Sequence, residues 1–162
     1  MRIAGLIRNS VVNGIGIRDV IFLQGCEHHC KGCHNPHTWS LHHGVEADIH
    51  LLAEQLKESK NHITISGGEP LLQYDQLIKF MELVNETQNK RFWLYTGFEY
   101  DEIPFEQLVE LSKYVDVLVD GRYEEDKRDL RLAFRGSSNQ RLIDLPKSLE
   151  EFKVVLWEGL HE

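Results

Sequence analysis

Short runs of β-branched and aromatic residues alternate with amphipathic helical patterns, and this alternation constrains the fold more than any other feature. The runs that predict strands cover residues 3–7, 20–24, 63–66, 92–96, 115–119 and 154–157. The helical patterns between them cover residues 47–59, 75–86 and 105–113. Strands that alternate with helices predict an α/β fold built from βα units on a mostly parallel sheet.

The length of the chain limits how many βα units it holds. A closed eight-unit barrel takes about 250 residues, or roughly 31 residues for each unit. The 162 residues therefore supply only about five units at that ratio. We expect one domain over residues 1–162, folded as an open partial (β/α) barrel.

Four of the predicted strands run into a glycine at or just after their carboxyl end: Gly25, Gly67, Gly97 and Gly121. Ligands of parallel α/β sheets bind at this edge, and a glycine there permits close approach of the backbone. Glycines also make tight turns between strands and helices, so each of them has a structural alternative. The pattern predicts one functional surface at the carboxyl edge of the sheet.

Three cysteines, Cys26, Cys30 and Cys33, lie within eight residues directly after the second predicted strand. An odd number in one short loop favours metal or redox chemistry over a disulfide framework. Thiolates suit both zinc and iron–sulfur clusters, but a structural zinc would need a fourth ligand from the nearby histidines. A three-cysteine cubane leaves one iron free for a substrate. The spacing favours a cluster, with zinc and free thiols as the alternatives.

The net charge of the chain indicates which kinds of molecule it can bind. The chain has 18 Lys and Arg against 26 Asp and Glu, a formal net charge of −8. This balance argues against nonspecific binding to nucleic acids or anionic membranes. No apolar run approaches the ~20 residues of a membrane span, and the N-terminus lacks the apolar core of a signal peptide. We expect no nucleic acid and no membrane partner, and a cytoplasmic location.

Several motifs stand in a fixed order from about residue 11 to residue 144. After the Cys-x3-Cys-x2-Cys loop come Ser-Gly-Gly-Glu-Pro at 66–70, Trp-Leu-Tyr-Thr-Gly at 93–97, Asp-Val-Leu-Val-Asp-Gly at 116–121 and Arg-Gly-Ser-Ser-Asn-Gln-Arg at 135–141. The cysteine spacing resembles the radical S-adenosylmethionine enzymes, and residues 66–70 look like their methionine-binding motif. The ordered set is similar, more narrowly, to the anaerobic ribonucleotide reductase activating proteins.

The resemblance implies an oxidoreductase that carries one 4Fe–4S cluster on Cys26, Cys30 and Cys33, which are its catalytic and metal-binding residues. S-adenosylmethionine would chelate the fourth iron, and one electron from the cluster would cleave it reductively. The resulting radical would take a hydrogen atom from a glycine Cα of the anaerobic ribonucleoside-triphosphate reductase and leave a glycyl radical there. A one-electron donor protein such as a flavodoxin is the other implied partner. The cluster loop would lie at the C-terminal edge of the strands.

The same resemblance implies the residues that bind S-adenosylmethionine. Gly32 stands where many wider radical enzymes have an aromatic side chain, so we expect backbone contacts from Gly32, Cys33 and His34. Gly67 and Gly68 would let the methionine amino group approach the backbone closely. Glu69 would either set the charge near that group or cap the following helix.

Other residues and other functions stay open at this point. Thr96, Gly97 and Asp120 lie at later strand ends and would face the ribose or the incoming glycine loop. Asn139 and Arg141 would either shape the cofactor pocket or hydrogen-bond a loop. The mixed-charge run at 122–131 is typical of a solvated surface. One alternative function is an activase of another glycyl-radical enzyme, of the pyruvate formate-lyase type. The other is a zinc-stabilised binding module.

Overall fold

The computed structural model describes residues 1–159. The chain folds into a seven-stranded sheet and four α-helices. The strands are β1 (Arg2–Ser10), β2 (Arg18–Leu23), β3 (Val45–Glu46), β4 (His62–Gly67), β5 (Phe92–Tyr95), β6 (Val115–Asp120) and β7 (Arg141–Asp144). The helices are α1 (Ile49–Lys57), α2 (Tyr74–Val84), α3 (Phe105–Leu111) and α4 (Leu145–Glu151).

The sheet has a parallel centre and antiparallel edges. Its strand order is β3-β1-β2-β4-β5-β6-β7, and β2, β4, β5 and β6 run parallel to one another. β1 is antiparallel to β2, and β7 is antiparallel to β6. β3 is antiparallel to β1 and therefore runs in the same direction as the four central strands. Five of the seven strands therefore share one direction, and the predicted mostly parallel α/β sheet is confirmed.

The central strands are buried because protein covers both of their faces. β2 and β6 are almost continuously buried, as strands of doubly covered parallel sheets are. On one face, α1 packs Leu52, Ala53 and Leu56 into the main core. Asp48 begins this helix by accepting hydrogen bonds from the backbone of His50 and Leu51, as an N-cap does.

A second, smaller apolar cluster is centred on Trp93 of β5, together with Val117, Val119 and Leu142. The guanidinium carbon of Arg18 lies 5.7 Å from the centroid of the Trp93 ring. Arg18 is 4% exposed and donates from Nε to Thr64 Oγ1 at 2.8 Å. The buried cation is thus satisfied within the sheet, and it joins β2 to β4.

The sequence prediction of a late strand at residues 154–157 is wrong. Only Leu156 forms a bridge, to Ile143, while the strand that pairs with β6 is β7. Phe152 adopts a left-handed conformation (φ 54°) at the end of α4. The following segment returns along the outer side of β7, and there the Trp157 backbone donates to Leu142 O at 2.8 Å.

The parallel pairing brings the carboxyl ends of β2, β4, β5 and β6 to one edge of the sheet. The Gly68 amide donates to Leu23 O at 3.0 Å, and the Thr96 amide donates to Val119 O at 2.9 Å. The Gly121 amide donates to Phe98 O at 3.0 Å, so the strand ends are joined across the edge.

No helix within residues 1–159 is both long enough and apolar enough to cross a membrane.

Candidate active site

A cavity of about 560 Å³ lies where the four central strands end. Its volume falls in the range of roughly 300–1,000 Å³ that is usual for small-molecule and cofactor sites. All three cysteines line it, and the strand ends that line it with them include Ser66, Gly67, Gly68, Thr96, Gly97 and Gly121. Metal-binding side chains and the glycine-rich strand ends thus border one space.

The loop that carries the cysteines is closed at its base. The Gly25 amide donates to Thr38 O at 2.6 Å, and the Cys26 amide donates to Trp39 O at 3.1 Å. Between these points, the Cys33 amide donates to Cys30 O at 3.1 Å and forms a tight turn. These bonds hold the three cysteines on one compact loop, which we call the cysteine loop (residues 25–39).

None of the three cysteines forms a disulfide. Cys26 is buried, while Cys30 and Cys33 are half-buried beside the cavity. Burial raises the pKa of the Cys26 thiol, and the nearby Glu69 carboxylate adds to the increase. Burial raises the pKa of the Cys30 thiol as well. Because metals bind the thiolate, ligation has to release these protons.

The donor set fits an iron–sulfur cluster. Thiolates are the side chains that hold such clusters, and all three cysteines border one cavity.

Glu69, 1% exposed, is the most heavily hydrogen-bonded side chain at this edge of the sheet. Its carboxylate accepts from Thr96 Oγ1 at 2.9 and 3.0 Å and from the Gly97 amide at 2.7 Å. It also accepts from the Leu71 amide at 3.0 Å and so caps the 3₁₀ turn Pro70–Gln73. Of the two roles expected for Glu69, the cap is the one observed, and its contact with a cofactor stays a prediction.

His28 joins the cysteine loop to this carboxylate. Its Nε2 lies 2.7 Å from Glu69 Oε1, and its Nδ1 accepts from Arg122 Nε at 3.2 Å. A neutral imidazole that accepts at Nδ1 carries its proton on Nε2, so His28 donates to Glu69. Arg122 also pairs with Glu102 at 3.3 Å. Sequence reasoning missed both partners of His28, because they lie 41 and 94 residues away in the chain.

The glycines at the strand ends let the cysteine loop approach the sheet. A Cβ on Gly68 would lie 2.3 Å from Gly25 O, and a Cβ on Gly97 would lie 2.5 Å from the His28 ring. Gly67 has a φ of +116°, a conformation that favours glycine. At Gly68 and Gly97 the group that approaches is the chain's own cysteine loop, and at Gly67 it is the backbone of Leu23 in β2. The approach of the methionine amino group to Gly67 and Gly68 stays a prediction. Gly67 and Gly68 also line the cavity.

The two non-cysteine residues predicted in the cysteine loop occupy different places. His34 lines the cavity and packs its ring 5.0 Å from Tyr123, centroid to centroid. Gly32 is not among the residues that line the cavity. It faces the Glu125 side chain, which a Cβ on Gly32 would meet at 3.0 Å.

Asp120, Asn139 and Arg141 hold loops together. Asp120 is 1% exposed and accepts from Arg141 Nε at 3.0 Å and Nη2 at 2.6 Å. The hydrogen bond to Asp120 raises the pKa of the Arg141 guanidinium. Asn139 Nδ2 donates to Arg122 O at 2.7 Å. These contacts fix the 135–141 motif over the end of β6 and favour the loop-holding alternative for Asn139 and Arg141. What Asp120 faces in the loaded site stays a prediction.

Comparison with known protein families identifies the class of protein to which the chain belongs. Residues 12–143 match a family model described as a 4Fe-4S single cluster domain. The match covers most of the chain and includes all three cysteines. The chain therefore belongs to the class of 4Fe–4S single cluster domains.

Several similar proteins are named anaerobic ribonucleoside-triphosphate reductase-activating protein. The one from Haemophilus influenzae is 38% identical over 80% of this chain and 89% of its own length. Those from Vibrio cholerae and Enterobacteria phage T4 are 37% and 36% identical, over 80% and 81% of this chain and 89% and 86% of their own lengths. The chain belongs to the family of anaerobic ribonucleoside-triphosphate reductase-activating proteins, and the resemblance drawn from its motifs is confirmed.

Proposed function

We propose that this protein activates the anaerobic ribonucleoside-triphosphate reductase, for which its relatives are named, by reductive cleavage of S-adenosylmethionine. One observation carries the proposal: in a member of this 4Fe–4S family, the only three cysteines of the chain border one cavity at the strand ends. We assign Cys26, Cys30 and Cys33 as the cluster ligands. No fourth cysteine exists, which leaves one iron for the substrate.

The chain's own residues hold and shape this site. When bound, the cluster and S-adenosylmethionine would supply the radical chemistry that removes a hydrogen atom from a glycine Cα of the reductase and leaves a glycyl radical there. The paired ends of the cysteine loop keep the three thiolates beside the cavity. In our proposal the backbone of Gly32, Cys33 and His34 contacts the adenosine part. Gly67, Gly68 and Glu69 face the methionine end.

The same proposal includes the overall shape of the domain, the electron donor and the location in the cell. The sheet is open in the described residues, because β3 and β7 stand at its two ends. We propose that it forms a partial barrel within one domain over residues 1–162, with the cluster loop at the C-terminal edge of the strands. A one-electron donor such as a flavodoxin and a cytoplasmic location complete the proposal.

Anaerobic reconstitution tests the ligand assignment. The wild-type protein is expected to bind four irons and four sulfides per chain, as its domain class implies, and to turn brown. Cys26→Ala, Cys30→Ala and Cys33→Ala should each lose most of the colour and the iron. His42→Ala is the matched control, because His42 is exposed near the end of the loop and does not line the cavity.

The same measurement tests the zinc alternative. A colourless protein that holds one zinc per chain and binds no iron or sulfide would overturn the proposal. Retention of the full cluster by any one of the three cysteine variants would overturn the ligand assignment.

A further inference from the structure

Two exposed leucines lie beside the base of the cysteine loop and outside the cavity. Leu41 is 51% exposed and Leu72 is 39% exposed, and neither lines the cavity. A Cβ on Gly25 would lie 2.4 Å from Leu41 Cδ2 and 4.0 Å from Leu72 Cδ1, so both side chains approach the same residue. We call these two leucines, together with the exposed His42 and His43, the outer patch.

The outer patch adjoins one of the proposed cluster ligands. Gly25 directly precedes Cys26, which is buried and lines the cavity. The Cys26 amide also donates to Trp39 O at 3.1 Å, two residues before Leu41. An electron that arrives at the patch therefore has a short path of covalent and hydrogen bonds to Cys26.

The segment that carries most of the outer patch is held from inside the protein. Gln24 is 2% exposed and donates from Nε2 to Ser40 O at 2.7 Å and to His37 O at 3.0 Å. Arg2 Nε donates to His43 O at 2.7 Å. The patch is thus ordered before a partner arrives, which lowers the entropic cost of binding.

The charge around the outer patch differs from that of the whole chain. Residues 28–45 contain one lysine, six histidines and no Asp or Glu, whereas the chain has 26 acidic residues in 162 and a net charge of −8. The side chain of Lys31 is 91% exposed, and its Nζ lies 3.7 Å from Glu125. An apolar pair beside a segment without carboxylates is complementary to an acidic partner that presents an apolar contact.

The outer patch also lies where an electron can enter a loaded site. On the proposed function, S-adenosylmethionine and the reacting glycine of the reductase both occupy the cavity when the electron is needed. The cavity is then filled, whereas the outer patch lies outside it. The partner that covers the patch is therefore a different protein from the segment that enters the cavity.

We propose that the outer patch is the docking site of the one-electron donor, an acidic protein that places an apolar redox edge against Leu41 and Leu72. This inference rests on the proposed function. One electron passes from the donor to the cluster, so the donor is oxidised by one electron and the cluster is reduced by one. No bond and no proton is transferred in this step.

The experiment compares variants of the outer patch with a matched variant elsewhere. Leu41→Asp and Leu72→Asp place a charge in the apolar part of the patch, and His42→Asp adds a negative charge beside it. Phe152→Asp is the control, because Phe152 is 82% exposed at the end of α4 and does not line the cavity.

Three quantities are measured without oxygen on the cluster-loaded proteins. The first is the affinity for oxidised flavodoxin, which serves as the probe donor. The other two are the rates of S-adenosylmethionine cleavage in the presence of the reductase, driven by reduced flavodoxin or by dithionite. Dithionite is a small molecule and needs no docking site.

Leu41→Asp and Leu72→Asp are each expected to weaken the affinity for flavodoxin about tenfold or more and to slow the flavodoxin-driven rate. The iron content and the dithionite-driven rate should stay at the wild-type values. His42→Asp should weaken the affinity by a smaller factor that shrinks as salt is added. Phe152→Asp should match the wild type in all three measurements.

Unchanged affinity for flavodoxin in Leu72→Asp and His42→Asp would overturn the docking site. A slower dithionite-driven rate in variants that keep their iron would assign the patch to the reductase and would overturn it as well. If Leu41→Asp loses iron through its contact with Gly25, the other two variants decide.

Failure of the proposed function gives a different result. A wild-type protein that binds flavodoxin but cleaves no S-adenosylmethionine with either reductant would contradict the proposed function. The affinities of the variants for flavodoxin would still test the docking site, so the two failures are distinguishable.

Discussion

His28 Nε2 lies 2.7 Å from Glu69 Oε1, although 41 residues separate the two in the chain. The contact joins the cysteine loop to the end of β4, and the same carboxylate extends to the end of β5 through Thr96 and Gly97. Arg122, just after β6, holds the other nitrogen of the His28 ring. One buried carboxylate thus organises the edge of the sheet at which the cysteines lie.

Replacing Glu69 by Ala should lower the stability of the metal-free protein. Thr96 Oγ1, the Gly97 amide, the Leu71 amide and His28 all lose their acceptor, at a cost on the order of 3 kcal/mol. Glu69→Gln keeps one acceptor oxygen and should lose less. Urea unfolding of the apo protein measures both, with Glu86→Ala as an exposed control. If Glu69→Ala unfolded like the wild type, Glu69 would have no structural role.

Replacing Gly68 by Ala should disturb the contact between β4 and the cysteine loop. The new Cβ would lie 2.3 Å from Gly25 O, so the backbone has to shift, at a cost of about 1–3 kcal/mol. Gly5→Ala is the matched control, because a Cβ there meets nothing within 4 Å. Unfolding of the apo protein and iron content after reconstitution should fall together in Gly68→Ala and stay unchanged in Gly5→Ala. Equal stability of the two variants would show that the contact is unimportant.

Asp19 of β2 should make the stability of the apo protein depend on pH. Burial opposes its ionisation, but hydrogen bonds from Asn61 and Asn9 and the charge of Arg8 outweigh that and hold its pKa below the usual value. Its stabilising effect is therefore fully present above the unfolded-state pKa of about 3.9 and is lost as the pH falls through the lower folded-state value.

Asp19→Asn tests this effect. The variant should be less stable than the wild type by about 1–3 kcal/mol at pH 7, and the difference should shrink below about pH 4. Urea unfolding of both apo proteins across this range measures it. A difference that is the same at pH 7 and at pH 3 would mean that the charge of Asp19 does not stabilise the fold.

The parallel centre of the fold was predictable because its strands carry their own signal. β2, β5 and β6 carry apolar residues on both faces, and β4 carries Ile63 and Ile65 on one face. These runs of β-branched and aromatic residues stand out in the sequence. β7 carries only two buried residues, Leu142 and Ile143, and is a strand because it pairs with β6. The more apolar run at 154–157 follows the left-handed turn at Phe152 and forms only one bridge.

The site was predictable where its parts are local in the chain. The three cysteines were predictable because their spacing within one loop is visible in the sequence. The partners of Glu69 were not predictable, because they come together only when three separate strand ends reach the same edge of the sheet. Gly67 and Gly68 lie at the end of β4 as predicted, but the contact that forbids a Cβ on Gly68 is Gly25 O of the cysteine loop. Their role toward the cofactor stays a prediction.

The glycyl radical itself gives the most direct test of the proposed function. The reduced, cluster-loaded protein is incubated without oxygen with S-adenosylmethionine and the anaerobic ribonucleoside-triphosphate reductase, and the electron paramagnetic resonance spectrum is recorded. The wild type is predicted to produce a glycyl doublet, and Cys30→Ala is predicted to produce none. A doublet that forms with a glycyl-radical enzyme of the pyruvate formate-lyase type, but not with the reductase, would contradict the proposed function.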